Sequence, residues 1–556
     1  MKPWKNSARQ FLQRLQSPPW MVVAVCLVTI ALHGSAVFNE FYFDDRSQIL
    51  EGRLIRSWQN VPDIFTSEVW HNVERGDRLA SASVDTFRPL FNLSLLVDFQ
   101  LVGKKPFLYH GVNLAIHLIN IILVFLIADA LLGGVSALFT AALFALHPTT
   151  VTCIHYVSAR PDSAATLFSL LTVLLAIQTP TLRPARHAAM AVTFLCAMLW
   201  KETAIVMPVL VPILQRVSRK DVSWKSTGLC ALTLCTTLGL YFALRWQALG
   251  ATKAVEDSAH FFAMVLHYPR AVLDLAQAAL FILVPLPLRS FDSSAPASVP
   301  FIATVVVFYL GAGSLVLWGI LRRQLWAGLV AWALFAMAPP VTAMVRTDRL
   351  DGYYFYMPTA GLALLVGLLV RWLSTRMNRR RLLLWLQGAI LATAGLLSFV
   401  AARHFRTEVS FYRAIIAAGP HSPIADYNLA NAYMRQSMHN EAVAQYQKVL
   451  AIHPRDARSH NNFSVALLAL HRVGEAVHHG RLAIALDPRN PRHHYNLALA
   501  LLRDGQTLDG LRALDTSLTL DPAYPAARAA AQELCRAPRH AFVQEWCRQK
   551  KGATRK

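Results

Sequence analysis

The sequence predicts an all-α protein, in which a polytopic helical membrane domain is followed by a solenoid of helical repeats. Two observations support this prediction. Hydrophobic residues make up 55% of the 556-residue chain and charged residues only 15%, and the mean hydropathy is +0.37, which is too apolar for a soluble protein of this length. The last part of the chain is less apolar and repeats itself at a fixed interval.

Eleven apolar segments are predicted to span the membrane. They lie near residues 20–37, 109–132, 135–147, 162–178, 187–200, 203–217, 227–247, 300–320, 325–344, 354–370 and 382–402. A further apolar segment, 271–288, carries Asp274 and Gln277, and it ends in prolines. We expect that segment to be re-entrant or to lie along the membrane surface. The membrane domain is thus predicted to cover residues 1–403, with a long first outward loop at 38–108.

The basic residues predict how the chain is oriented in the membrane. The net charge of +22 could suggest nucleic-acid binding, but the basic residues lie mainly in short loops between apolar segments, as expected for membrane orientation. A cytoplasmic N-terminus and eleven spans place five basic stretches inside: the N-terminus, Arg183 with Arg186, Arg216 to Lys225, Arg322 with Arg323, and Arg371 to Arg381. The odd count puts the first outward loop and everything after residue 403 on the same, non-cytoplasmic side. The Arg- and Ala-rich composition favours a bacterial inner membrane and its periplasm, with the endoplasmic reticulum lumen as the eukaryotic counterpart.

The C-terminal region, 404–556, is predicted to be a repeat array. Prolines recur every 34 residues, at Pro420, Pro454, Pro488 and Pro522, and asparagines keep the same spacing at Asn428, Asn462 and Asn496. Thirty-four residues is the tetratricopeptide period, in which each repeat is a pair of helices. We expect about three and a half repeats plus a C-terminal cap, with a concave groove that binds a protein acceptor or partner. The asparagines either bind acceptor peptide or hold neighbouring helices together.

Two cysteines near the C-terminus lie on the predicted non-cytoplasmic side. Cys535 and Cys547 flank the stretch "RAPRHAFVQEW". An oxidising compartment would favour a disulfide between them, which would tie the last two helices together. Two unpaired thiols are the alternative.

Ionisable residues gather in the predicted outward loops. They are Asp44 and Asp45 in "FDD"; Arg88 and Asp98 in "RPLFNLSLLVDF"; His147, His155, Arg160 and Asp162 in "HPTTVTCIHYVSARPD"; Lys201 and Glu202 in "WKET"; and Arg346, Arg349 and Tyr353 in "RTDRLDGYYFYMP". Carboxylates and cations on one membrane face suit a reaction with an anionic lipid donor. An aspartate can take the proton of an acceptor hydroxyl, while Arg and Lys hold the departing phosphate.

The order of these motifs resembles a known family. "FDD", "YHGVNLAIHLIN", "SARPDSAATLF", "WKETAIVMPVL", "YYFYMPTAGLAL" and the 34-residue repeats are similar to the transmembrane and tetratricopeptide repeat-containing O-mannosyltransferases and their bacterial relatives. These belong to the GT-C superfamily of multispanning glycosyltransferases. The resemblance implies an inverting transfer of a sugar, mannose or another hexose, from a polyprenyl-phosphate to a protein hydroxyl outside the cytoplasm.

The resemblance also implies roles for individual residues. The acidic motif falls on Asp44 and Asp45, with Asp44 favoured as catalytic base and Asp45 orienting the acceptor or a cation. The donor phosphate would contact Arg88, Arg160, Lys201, and Arg349 or Arg346. Supporting roles fall on Glu202, Asp162, His155 and Tyr353. The family's "ERYLYLP"-like segment reads "LDGYYFYMP" here, without an arginine directly before the tyrosines.

No cofactor is expected, and three other interpretations are weaker. His147 and His155 lack a recognisable zinc-ligand spacing, and a monophosphate donor can be neutralised by two or three cationic side chains, so a divalent metal is not favoured. A membrane-anchored repeat scaffold without catalysis does not explain the outward cations. A transporter would need polar groups at mid-membrane depth, whereas the ionisable residues here gather at one membrane face.

Overall fold

The computed structural model describes residues 20–69, 86–178, 183–250, 258–279, 288–290, 299–347, 349–377, 379–418, 423–536 and 543–548. The chain forms two compact units, Met1–Ala414 and Ile415–Lys556. We refer to them as the membrane unit and the repeat unit. The predicted all-α architecture is confirmed, and two three-residue strands are the exception among the described residues.

The membrane unit contains long helices joined by short helical turns. The α-helices are α1 Trp20–His33, α2 Val61–Thr66, α3 Pro89–Val102, α4 Pro106–Leu131, α5 Gly134–Leu146, α6 Val151–His155, α7 Arg160–Ile177, α8 Pro184–Trp200, α9 Met207–Ser218, α10 Trp224–Leu249, α11 Ser258–Ala279, α12 Val299–Leu321, α13 Leu325–Thr347, α14 Tyr356–Arg376, α15 Arg380–Ala402 and α16 Glu408–Ala418. A π-helix covers Arg46–Leu50, and 3₁₀ turns cover Gly34–Phe38, Leu54–Arg56, Trp58–Asn60, Pro148–Thr150, Val157–Ala159, Glu202–Val206, Gly352–Phe355 and Arg403–Phe405. Strands β1 Leu288–Ser290 and β2 Arg349–Asp351 pair antiparallel, with Leu288 opposite Asp351.

Every predicted span coincides with a helix, but the number long enough to cross is lower than eleven. Within the described residues, eight helices are long and apolar enough, or nine if the pair Gly134–Leu146 and Pro148–His155, bent by 51°, counts as one. The shortfall is α8 and α9, which have 17 and 12 residues. At 1.5 Å per residue they reach only about 26 and 18 Å. The segment near α11 is not among the qualifying helices, and its placement at the membrane surface stays a prediction.

Basic residues of the predicted cytoplasmic loops cap helix ends. The Arg371 guanidinium donates to the Leu132 carbonyl, just after α4, at 2.6 Å. Arg219 donates to the Gln178 carbonyl, just after α7, at 3.3 Å. Cations at helix C-termini satisfy carbonyls that have no partner within the helix and interact favourably with the helix dipole. These arginines therefore also stabilise one end of the bundle.

Close helix packing in the membrane unit depends on small residues. A Cβ added at Gly361 on α14 would lie 2.6 Å from the Trp332 side chain of α13. A Cβ at Gly367 would lie 1.9 Å from the Thr140 hydroxyl of α5. Both glycines therefore let α14 approach its neighbours more closely than alanine would permit.

The repeat unit follows the predicted 34-residue period. Its helices are α17 Pro423–Arg435, α18 His439–Ile452, α19 Ala457–Ala469, α20 Val473–Leu486, α21 Pro491–Arg503, α22 Thr507–Leu520 and α23 Pro525–Arg536. Pro454, Pro488 and Pro522 each stand two residues after the second helix of a pair, where proline cannot continue the helix. Pro420 lies outside the described residues. The predicted disulfide is present between Cys535 and Cys547 and joins α23 to the final helical stretch at 543–548.

Candidate functional site

The backbone around Asp44 and Asp45, here called the acid pair, is unusual on both sides. Phe43, directly before the pair, has a φ of +50°, a left-handed conformation that is costly for a non-glycine residue. The π-helix Arg46–Leu50 follows the pair, and π-helical turns are frequent at functional sites. Gly52 ends this turn, where a Cβ would lie 2.0 Å from the Gln48 carbonyl oxygen. The main chain thus fixes the direction in which both side chains leave it.

The two acids have different environments. Asp45 is fully buried, and its Oδ1 accepts hydrogen bonds from the Ser158 amide at 2.8 Å and the Ser158 hydroxyl at 2.6 Å. Burial raises the pKa of Asp45 to about 7, with a further contribution from Asp44, although the Ser158 hydrogen bonds oppose the rise. Asp44 is half-buried, and its amide donates to the Tyr156 hydroxyl at 3.3 Å. Asp44 is therefore the member of the pair that can meet a substrate.

A second cluster, here called the cation group, comprises Arg88, Lys201 and Arg245 with the carboxylates of Glu202 and Asp162. Arg88 Nε donates to Glu202 Oε2 at 3.1 Å, and Arg245 Nη1 lies 3.8 Å from Glu202 Oε1. Lys201 Nζ lies 2.6 Å from Asp162 Oδ2. Arg88 and Arg245 share the single carboxylate of Glu202, so these three residues together carry a surplus positive charge. The side chains of Arg88 and Arg245 are 23% and 18% exposed, so an anion could reach them.

Lys201 and Asp162 form the buried side of the cation group. Lys201 is 4% exposed, and its ammonium lies 4.6 Å from the ring centroids of both Tyr353 and Tyr354. Burial lowers the pKa of Lys201, although the Asp162 carboxylate opposes this. The Tyr353 hydroxyl donates to Asp351. Tyr353 and Tyr354 thus both stabilise the lysine by cation–π contacts.

The acid pair and the cation group lie at the same end of the membrane unit. The Tyr156 phenol is near enough to both acids and to Asp351 for charge interactions. The Tyr354 phenol interacts in the same way with Asp351, Asp162 and Arg88. Asp351 therefore lies near both clusters, and the grouping does not depend on how many helices cross the membrane.

Arg160, predicted to bind the donor phosphate, is instead part of a buried ion pair. It is fully buried, and its Nη2 lies 2.7 Å from Asp98 Oδ2. Its three nitrogens also donate to the side chains of Asn113 and Ser94 and to the Tyr109 carbonyl. The bonds of the Arg160 guanidinium consequently connect α3, α4 and α7.

The histidines of the same loop are also buried. His155 Nε2 lies 3.0 Å from His33 Nδ1, and its Nδ1 lies 3.0 Å from the Asn39 amide. His147 Nδ1 lies 2.7 Å from the Thr149 hydroxyl. His155, predicted as a supporting residue, thus connects α1 to α6 rather than facing the acid pair.

The last two predicted cations are Arg346 and Arg349. Arg346 lies in α13 and Arg349 begins β2, but their side chains lie outside the described residues. Their predicted contact with the donor phosphate stays a prediction.

In the repeat unit, the asparagine hydrogen bonds favour the second of the two interpretations. Asn462 Nδ2 donates to the Tyr427 hydroxyl and to Asn431 Oδ1, both at 2.9 Å. Asn496 Nδ2 donates to Asn461 Oδ1 at 2.9 Å. These bonds run between the first helices of successive repeats, so the two amides hold neighbouring helices together. For Asn428, half-buried on α17, acceptor binding stays a prediction.

We expect Asn462→Ala to lower the free energy of unfolding of the repeat unit by roughly 1–3 kcal/mol, because two partners lose their donor. Thermal unfolding of the full chain followed by circular dichroism would measure this. Thr516→Ala, at an exposed position on α22, is the control and should leave the midpoint unchanged. Equal midpoints for both variants would contradict the structural role.

Three residues of the site were not predicted. Ser158 lies within the quoted "SARPD" motif, and a hydroxyl beside a predicted cation was the signal that could have identified it. Asp351 stands in the quoted "LDGYYFYMP" segment. Arg245 stands near the end of an apolar span, where a single arginine is typical of an orientation signal.

Comparison with known proteins bears on the family. No protein-family profile matches the chain. The chain is 32% identical over 185 residues to the Mus musculus protein O-mannosyl-transferase TMTC2, 31% over 168 residues to the Drosophila melanogaster protein Tmtc1, and 28% over 173 residues to the Homo sapiens protein TMTC4. The chain is similar to the TMTC-type protein O-mannosyltransferases. The resemblance seen in the sequence is thus confirmed.

The similarity is partial in extent. The matches cover 32%, 30% and 28% of this chain, and 21%, 19% and 23% of the respective TMTC-type relatives. The chain therefore spans about a fifth of the length of the curated relatives it matches.

Proposed function

We propose that this chain is an integral-membrane glycosyltransferase that transfers a hexose, mannose by analogy with its relatives, from a polyprenyl-phosphate to a protein hydroxyl. The observation that carries the proposal is the half-buried Asp44 at the same end of the membrane unit as the partly exposed Arg88 and Arg245. A proton acceptor and a surplus of positive charge are the two elements that such a transfer needs.

The proposed reaction assigns one step to each cluster. Asp44 accepts the proton of the acceptor hydroxyl as its oxygen attacks the anomeric carbon, and the bond from that carbon to the phosphate oxygen breaks. Both electrons of that bond leave with the polyprenyl phosphate, whose growing charge is stabilised by Arg88 and Arg245. Buried Asp45, held by Ser158, carries a negative charge beside Asp44 when the pH is above its raised pKa, and this charge raises the proton affinity of Asp44. Attack opposite the leaving group inverts the anomeric configuration.

The structure also supports a non-cytoplasmic side for the reaction and the repeats. Within the membrane unit, Phe405 follows α15 and lies 6.4 Å, ring centroid to ring centroid, from Tyr42 beside the acid pair. The chain therefore leaves the membrane unit at the end where the acid pair lies. The disulfide between Cys535 and Cys547 is typical of an oxidising compartment such as the periplasm. We propose that the repeat unit binds the protein acceptor or a partner there.

Mass spectrometry of extracytoplasmic proteins from cells with and without the gene tests this function. Hexose-modified serine or threonine peptides that are lost on deletion should return with the wild-type gene. They should stay absent when the Asp44→Asn variant is expressed instead, with its full-length protein verified to be present. Unchanged glycopeptides after deletion would refute protein transfer. Restoration by Asp44→Asn would instead favour a membrane-anchored scaffold.

A further inference from the structure

The segment after the last membrane helix is bonded to the loop that carries the acid pair. The Glu40 amide donates to the Arg406 carbonyl at 3.4 Å, and the Glu408 amide donates to the Glu40 carboxylate at 3.2 Å. Glu40 stands only a few residues before Asp44. The segment after α15 is therefore bonded to the chain just before the proposed base.

An aromatic stack reinforces this connection. Phe411, on α16, lies 4.6 Å from Tyr42 between ring centroids, with the planes 30° apart, and 6.2 Å from Tyr156. Tyr42 and Tyr156 stack on each other at 5.5 Å and 14°. All three rings are buried, so the Phe411 ring packs against the two tyrosines and restricts their positions.

The stack leads directly to both carboxylates. The Tyr42 hydroxyl donates to the His155 carbonyl at 2.7 Å, and this bond anchors the segment that carries the acid pair to the neighbouring α6. The Tyr156 hydroxyl accepts from the Asp44 amide at 3.3 Å. Two residues later, Ser158 holds Asp45. A shift of Tyr156 would thus move the partners of both members of the acid pair.

We propose that Phe411 is a positioning residue for the acid pair, acting through its stack with Tyr42 and Tyr156. The proposal rests on the proposed function, because it assigns the acid pair to the chemistry. It adds a contribution from far along the chain, since Phe411 lies on the helix that follows the last membrane span.

A purely structural role for Phe411 makes a different prediction from a positioning role. Loss of a buried ring that only adds stability reduces the amount of folded protein and scales the transfer rate equally at every pH. Loss of a positioning ring changes the surroundings of the acid pair. It therefore alters kcat and the shape of the pH profile while leaving the KM for the donor in place.

The purified full-length chain in lipid nanodiscs would be assayed with polyprenyl-phosphate mannose as donor. The acceptor would be a threonine peptide chosen from the glycopeptides that the mass-spectrometry comparison identifies. We expect Phe411→Leu to lower kcat about tenfold or more, as misplacement of a catalytic group does. We also expect Phe411→Leu to shift the pH at which transfer declines on acidification, whereas Phe411→Tyr should stay close to the wild type. A pH profile of unchanged shape for Phe411→Leu would overturn the proposal.

Phe463→Leu is the matched control, because Phe463 is a buried ring in the repeat unit that contacts Tyr446 and His479. It should leave the pH profile unshifted.

A second measurement does not depend on transfer. Carbodiimide labelling of carboxylates, read by mass spectrometry, should change at Asp44 in Phe411→Leu but not in Phe463→Leu. Unchanged labelling would refute the positioning role. Absence of transfer by the wild type would refute the proposed function instead.

Discussion

Replacing Asp44 with asparagine is expected to lower kcat for sugar transfer by about 10²–10⁴-fold, the usual contribution of a general base. The amide keeps the size of the side chain but cannot accept the proton of the acceptor hydroxyl. Binding of the donor should change little, because the cation group is intact. Transfer of radiolabelled mannose from polyprenyl-phosphate mannose, measured under single-turnover conditions in nanodiscs, would give the rate.

Asp45→Asn is the matched comparison, and it predicts a distinct pH dependence. In the wild type, Asp45 has a pKa of about 7, so it takes up a proton and loses its charge as the pH falls below that value. Transfer should decline over that range. Asp45→Asn should abolish this decline at low pH while slowing the reaction by roughly tenfold.

A rate for Asp44→Asn equal to that of the wild type would refute the role of Asp44 as base.

The stability of Asp45→Asn should change in the opposite direction to its activity. The folded pKa of Asp45 is raised above the ordinary value of 3.8, so folding disfavours the charged form. This residue's contribution to stability is therefore lost as the pH rises from about 4 to about 7. The unfolding midpoint of Asp45→Asn should exceed that of the wild type above pH 7, and the two should converge in acid.

Arg160→Ala is expected to have the largest effect on folding. Its removal leaves Asp98 buried without a counterion, and breaking such a pair typically costs about 3–5 kcal/mol. The midpoint of thermal unfolding in detergent should fall by many degrees, and the yield of membrane-inserted protein should fall with it. The Arg160→Met, Asp98→Asn double variant should recover much of the loss, because no unpaired charge remains.

Arg88→Ala separates this structural effect from substrate binding. Arg88 is partly exposed, and Glu202 keeps Arg245 as a second partner, so the unfolding midpoint should move little. The KM for polyprenyl-phosphate mannose should rise at least tenfold, because a phosphate contact is lost. Similar midpoints for Arg160→Ala and Arg88→Ala would contradict the division of roles between them.

The parts of the fold that depend on local pattern could be predicted from the sequence. Apolar length and the 34-residue period located the membrane helices and the repeat pairs, and the disulfide was predicted from the placement of Cys535 and Cys547 on the non-cytoplasmic side. The shortness of α9 was less evident, because its apolar run extends through the Glu202–Val206 turn, which is not α-helical.

The roles of single charged residues depend on distant partners and could not be predicted in the same way. An arginine that binds phosphate and one that pairs with a buried carboxylate look alike in sequence, and only the proximity of Asp98 distinguishes Arg160. The same holds for Asn462, whose partners Tyr427 and Asn431 lie in the preceding repeat. Arg245, on α10, was missed because its partner Glu202 lies in the turn before α9, a different segment of the chain.

The left-handed residue Phe43 limits which substitutions the acid pair can tolerate. Because the main chain turns sharply there and continues into a π-helix, both acids leave it along fixed vectors. A glutamate at either position would place its carboxylate one methylene group farther from the main chain than the aspartate does. The reach of the two acids is therefore set by the course of the main chain as well as by the length of the side chains.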